Sequence, residues 1–155
     1  MISNHSIAEY LVTSFIAGVF GITAMEMVMW RIGRTQWAKG NMIVALGSLI
    51  TRRRTNAFRT GLILHIISAT LFALLYTLAM EGLGLARWPT AFFVGTGFGV
   101  LHGIVVSLAL VWVVAEQHPL EEFNEAGLAV GLIHFVGHVA YGAAVGLVIA
   151  VASRI

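Results

Sequence analysis

Apolar residues occupy four long segments of this chain, and most polar residues collect between them. The segments cover about 7–30, 58–80, 90–115 and 126–152. A helix needs about 20 apolar residues to cross the hydrocarbon layer of a bilayer, and each segment is long enough. None shows the alternating pattern of barrel strands. We therefore predict an all-α, polytopic membrane protein in which residues 1–155 form a single four-helix transmembrane bundle.

A fifth apolar stretch, NMIVALGSLI at 41–50, is too short to span a membrane. Three consecutive arginines follow it at 52–54. A short apolar helix next to basic residues is typical of the membrane surface, where the charges reach the headgroups. We expect a short interfacial helix in the first loop.

Composition and charge agree with a membrane protein and predict its orientation. Charged residues make up 10% of the chain, against about 25% in soluble domains. Seven of the nine Lys and Arg residues lie within 31–59. This asymmetry predicts a cytoplasmic first loop, with both termini on the periplasmic side of a bacterial inner membrane. Since the basic residues cluster beside the bilayer, we expect lipid and no nucleic acid as a partner.

The chain contains no cysteine. Its absence excludes disulfides, thiolate metal sites, iron–sulfur clusters and covalently attached haem. Any metal ligands must therefore come from other side chains.

Glycines recur at a spacing of four residues in the last two spans. This spacing lets membrane helices approach closely. It predicts a compact bundle, and it also offers faces for a homo-oligomer or a larger membrane complex. The glycines are Gly95, Gly99, Gly103, Gly127, Gly131, Gly142 and Gly146.

Apart from Glu9 and Arg59 at the segment ends, five acidic residues or histidines lie inside the apolar segments. Such residues are costly in lipid, usually face the bundle interior and indicate function. At a rise of about 1.5 Å per residue, all five fall between the cytoplasmic half and the centre of the membrane. They are Glu26, His65, His102, His134 and His138.

His134 and His138 are one helical turn apart and can bind a single metal ion. His65 or His102 can add a third nitrogen, and Glu26 a carboxylate. This ligand set favours iron, zinc or copper over calcium. Our leading hypothesis is therefore an intramembrane transition-metal site.

Neighbouring residues have supporting parts in this hypothesis. Tyr141 and Ser68 share helix faces with the histidines and are predicted to orient them. Met25, Met27 and Met29 are interpreted as apolar packing residues rather than copper ligands.

Three alternatives stay open. His102 and His138 have similar depths and can hold one b-type haem as an electron carrier. Glu26, His65 and His134 can form a proton relay. The third alternative is a non-catalytic accessory subunit whose histidines form hydrogen bonds between helices. No enzymatic activity is predicted.

Four stretches carry a resemblance to a known family: FIAGVFGITAMEMVM, GLILHIISATLFALLY, GTGFGVLHGIVVSL and HFVGHVAYGAAVGL. With these motifs the chain resembles a family of small bacterial four-helix integral membrane proteins of unknown function. The resemblance implies the four-span fold and assigns no catalytic residues.

Overall fold

A computed structural model of the chain describes residues 6–34, 42–124 and 127–153. It confirms the predicted all-helical, four-span architecture, since four helices are long and apolar enough to cross a membrane. The helices are α1 (Ile7–Gly33), α2 (Met42–Thr51), α3 (Ala57–Gly82), α4 (Thr90–Gln117) and α5 (Leu128–Ala152). A π-helical segment, Leu110–Val114, interrupts α4, and a short 3-10 turn, Glu121–Phe123, precedes α5.

The first helix begins with a capping box formed by Ser6 and Glu9. The Ser6 side chain accepts a hydrogen bond from the backbone N–H of Glu9, and the Glu9 carboxylate accepts one from the N–H of Ser6. These two bonds satisfy donors that the first turn of a helix leaves without partners.

The last helix, α5, is the centre of the bundle. In its apolar window 44% of the residues are buried, against 28% or less in each of the other three spans. It packs between α1 and α4. Of the described spans, α5 is therefore the one whose side chains contribute most to the interior.

Glycines bring the backbones of α4 and α5 into direct contact. A Cβ atom on Gly142 would lie 2.2 Å from the carbonyl oxygen of Gly95, and one on Gly99 would lie 2.5 Å from that of His138. Both are closer than real Cβ contacts. The predicted close packing through small residues is confirmed, and it occurs within the chain. Gly95, Gly99 and Gly142 are buried in this contact between α4 and α5.

The short helix α2 is present in the first loop, as predicted, and packs against the first turns of α3. A Cβ on Gly47 would lie only 1.8 Å from the carbonyl oxygen of Ala57, and one on Gly61 equally close to that of Ile43. The helix therefore belongs to the packed bundle at the end that we call the α2 end. The opposite end contains the start of α1 and the finish of α5, where the Ser153 hydroxyl donates to the carbonyl of Ala86.

His118, in the loop before α5, holds this loop against α2. Its Nε2 lies 3.1 Å from the carbonyl oxygen of Ala45, and its Nδ1 accepts from the N–H of Leu120. Because a carbonyl can only accept, Nε2 carries the proton. His118 is buried, although its position in a polar loop gave no sign of this.

An exposed ion pair joins the same two parts of the chain. Arg54 donates from Nε to Oε1 of Glu122 at 2.7 Å and from Nη2 to the other carboxylate oxygen. This paired geometry is the strong form of an arginine–carboxylate contact. The guanidinium of Arg54 lowers the pKa of Glu122 below its ordinary value.

We expect Glu122→Gln to make stability less dependent on pH. Since the pKa of Glu122 is lower in the folded state, its contribution is present above the unfolded pKa and is lost as pH falls through the folded pKa. Near neutral pH, wild type should therefore have a higher free energy of unfolding than Glu122→Gln. The free energies of unfolding of the two proteins should converge in acid. Glu121→Gln, which leaves the Arg54 pair intact, is the control. A difference between wild type and Glu122→Gln that is independent of pH would contradict this assignment.

Candidate functional site

A cavity of about 250 Å³ lies among the five helices, toward the α2 end. Its wall is mostly apolar, and each helix contributes to it. Met42 and Leu46 of α2 border it, so that the short helix forms part of the wall. The polar residues of the wall are His65, Ser68, His102, His134, His138 and Tyr141.

The cavity collects the four histidines that the sequence singled out. They come from α3, α4 and α5, and Ser68 and Tyr141 line the same space. Glu26 stands next to His65 and is not part of the wall. Imidazoles from three spans therefore border one cavity.

His134 and His138 are held in one tautomer by the backbone of α5. Nδ1 of His134 lies 2.8 Å from the carbonyl oxygen of Val130, and Nδ1 of His138 lies 2.7 Å from that of His134. A carbonyl oxygen only accepts, so each Nδ1 carries the proton. In the neutral imidazole, Nε2 is then the nitrogen with the free lone pair. Metal-binding histidines commonly have this arrangement, in which the other ring nitrogen donates to a backbone carbonyl.

His65 has a buried nitrogen for which the described residues provide no hydrogen bond. Its Nε2 lies 3.3 Å from Oε1 of Glu26, which is within ion-pair distance. The contact does not have hydrogen-bond geometry, and Nε2 finds no hydrogen-bond partner within the described parts of the chain. A buried polar atom without a partner is costly and needs an explanation. The Glu26 carboxylate gives this atom an ion-pair contact in place of a hydrogen bond.

His102 is placed by aromatic neighbours that sequence reasoning did not identify. Its ring centre lies 3.8 Å from that of Phe72 and 4.5 Å from that of His138. The hydroxyl of Tyr76 lies 3.3 Å from its Nδ1. Phe72 and Tyr76 are one turn apart on α3, and this spacing indicates from the sequence that the two rings share one helix face. It could not be linked to His102 without knowing how α3 and α4 face each other.

The geometry does not fit a haem held between His102 and His138. Two axial imidazoles would need the iron between them, about 2 Å from each nitrogen, with the porphyrin plane separating the two rings. The two rings are instead in edge contact at a centroid distance of 4.5 Å and an interplanar angle of 67°. With the two rings in this arrangement, no porphyrin fits between them.

Tyr141 does not orient a histidine as we predicted. Its hydroxyl donates to the carbonyl oxygen of Ala69 at 2.5 Å and so ties α5 to α3. Its ring also borders His102, at a centroid distance of 6.3 Å. Tyr141 is therefore a structural residue of the cavity wall, and Tyr76 is the phenol that contacts a histidine.

We expect Tyr141→Phe to destabilise the fold and leave ligand binding intact. The loss of one hydrogen bond between membrane helices costs about 1 kcal/mol. Unfolding in mixed detergent micelles measures this change, and a metal titration of the same sample measures binding. A large fall in metal affinity with unchanged stability would instead restore the orienting role.

The side chains are not preassembled around an ion. Among residues 6–34, 42–124 and 127–153, no three His, Asp or Glu side chains form a group that could hold a metal. A third ligand therefore requires rotation of a side chain such as that of His65 or His102.

No protein-family model matches the chain, and no curated protein or solved structure is significantly similar to it. Function must therefore be inferred from the geometry of the cavity.

Proposed function

We propose that this multi-pass membrane protein binds a transition-metal ion in the cavity among its helices. The proposal rests on the hydrogen bonding of three imidazoles that line the cavity. His134 and His138 have free Nε2 lone pairs, and His65 has a buried Nε2 without a hydrogen-bond partner among the described residues. These nitrogens are the proposed ligands.

The other polar residues have supporting parts in this proposal. His102 is the alternative third or fourth ligand, and Tyr76 steadies its ring through Nδ1. The Glu26 carboxylate, next to His65, offsets part of the positive charge of the ion. Nitrogen ligands of this kind suit zinc, copper or iron rather than calcium or magnesium.

The distribution of positive charges supports a cytoplasmic position for the α2 end. Seven of the nine Lys and Arg residues belong to the loop region 31–59. By the positive-inside rule, both termini then face the periplasm of a bacterial inner membrane. The cavity would lie closer to the cytoplasmic face, which is the side from which an ion would reach it.

Metal retention by the purified full-length chain tests the proposal. The protein is stripped with a chelator in detergent, separate samples are incubated with Zn²⁺, Cu(I) or Fe²⁺, and each sample is passed over a desalting column. Elemental analysis should then find zinc in stoichiometric amount. Protein that is folded and retains no zinc, copper or iron would overturn the proposal.

A proton relay is the second candidate, because one contact favours it. Oε1 of Glu26 lies 3.3 Å from Nε2 of His65, close enough for a proton to pass after a small adjustment. His65 in turn borders the same cavity as His134. Proteoliposomes containing a pH-sensitive dye test this function. A relay requires a proton flux that Glu26→Gln abolishes, and no flux in wild type would exclude it.

A further inference from the structure

We infer that the ion is monovalent copper, Cu(I), and that Met25 and Met42 supply thioether sulfur to the site. This inference rests on the proposed metal site and adds the identity of the ion. Both methionines line the cavity that contains the four histidines. The sequence indicated that the methionines near Glu26 are packing residues. For Met25 we now infer a ligand role instead.

Met25 lies against the part of α5 that carries the two histidines. Its exposed fraction is 3%. A Cβ atom on Gly137 would lie 3.1 Å from Cγ of Met25. Gly137 stands between His134 and His138, next to the latter, so the side chain of Met25 packs beside the turn of α5 that carries the proposed imidazole ligands. A larger residue at position 137 would separate them. Met29 packs at the same place, since a Cβ atom on Gly137 would lie 3.3 Å from its sulfur.

Met42 approaches the cavity from a different helix. It is the first residue of α2, and α2 is fixed against α3 by the close contact between Gly47 and Ala57. Met25 and Met42 therefore belong to separate elements, and both contribute to one wall. Two thioethers that border one cavity from different helices are stronger evidence for a pair of metal ligands than methionines that follow one another on a single helix face.

The chemistry of this donor set favours Cu(I). Thioethers are soft ligands that select Cu(I), whereas protein zinc sites use Cys, His, Asp and Glu. The chain has no cysteine, so methionine is its only source of soft ligands. Imidazole and thioether are also neutral, and they leave the charge of the ion uncompensated.

The charge of the ion points the same way. In the Born treatment, the cost of burying an ion rises with the square of its charge, so a divalent ion is much more costly than a monovalent one in an apolar cavity. The wall here is mostly apolar. The single carboxylate of Glu26, next to His65, balances one positive charge.

Parallel titrations of the full-length protein with Cu(I) and Zn²⁺ test this inference. The protein is kept anaerobic and reduced in detergent, and Cu(I) is measured by competition with a chromophoric Cu(I) chelator. The double variant Met25→Leu with Met42→Leu should bind Cu(I) at least about 10- to 100-fold more weakly than wild type. Changing the groups around metal ligands already costs this much affinity. Its Zn²⁺ affinity should change little, because zinc would use the imidazoles.

Leucine is a suitable replacement because Met and Leu have similar volumes, and such swaps usually preserve folding. Met27→Leu is the matched control, since Met27 is 64% exposed on the same helix. X-ray absorption of the Cu(I)-loaded wild type should show sulfur bound to copper, and this sulfur should be absent in the double variant.

The outcomes separate the two proposals. If wild type binds neither Cu(I) nor Zn²⁺, the proposed metal site itself is wrong. If it binds Zn²⁺ while Cu(I) affinity is the same in wild type and the double variant, or if copper shows no sulfur ligand, the copper inference is wrong and the metal site stands. Loss of Cu(I) affinity in Met27→Leu as well would also contradict the inference.

Discussion

Replacing His134 and His138 together by glutamine is expected to abolish metal binding. The two residues present free Nε2 lone pairs to one cavity, and glutamine has no equivalent nitrogen lone pair. Even the loss of groups that only orient metal ligands costs about 10- to 100-fold in affinity, so the loss of two ligands should exceed about 100-fold. Elemental analysis after desalting and a competition titration measure the effect.

His118→Gln is the control for this experiment. His118 is buried and lies outside the cavity wall, against α2. This variant should retain metal at the wild-type stoichiometry. If the His134 and His138 double variant also retained a stoichiometric ion while folded, the two residues could not be the ligands.

The second large effect is expected at the contact between α4 and α5. Leucine at position 142 would place its Cβ 2.2 Å from the carbonyl oxygen of Gly95 and 2.7 Å from Cα of Gly99. Both neighbours are backbone atoms and cannot rotate away. The two helices would have to separate, at a cost of about 3 kcal/mol or more. We expect Gly142→Leu to lose most of its folded population in mixed detergent micelles.

Gly97→Leu separates this packing effect from the general effect of adding a side chain. Gly97 is on α4, and a Cβ there would meet no atom of the described structure within 4 Å. It should unfold at nearly the same denaturant fraction as wild type. Equal destabilisation by the two substitutions would show that the contact between the glycines is not a determinant of stability.

The spans and their packing could be predicted because they depend on local patterns. The length of an apolar run determines whether it can cross a bilayer, and a spacing of four residues puts Gly95 and Gly99 on one helix face. These features hold regardless of which helix lies opposite. That the partner of this face is α5, through Gly142, required the structure.

For the candidate site, only the depth of each histidine along its helix could be predicted from the sequence. A rise of about 1.5 Å per residue placed the histidines in one band, and the structure brings them to one cavity. Depth does not define how a helix is rotated about its axis. For this reason the contact of Tyr76 with His102 was missed, and Tyr141 was assigned an orienting role that the structure contradicts.

Contacts across loops were beyond the reach of sequence patterns. Nothing in the loop sequence indicates that His118 donates to the carbonyl of Ala45, 73 residues away. The same holds for Met42, since the apolar pattern of α2 could equally face lipid or the bundle. Its place on the cavity wall depends on the contact of α2 with α3.

X-ray absorption spectroscopy of the zinc-loaded, full-length protein tests the central claim most directly. Imidazole rings produce characteristic scattering from their outer atoms, which oxygen ligands do not. We expect at least two imidazoles bound to zinc in wild type, and no bound zinc in the protein with both His134 and His138 replaced. A wild-type spectrum with oxygen ligands alone would contradict the account.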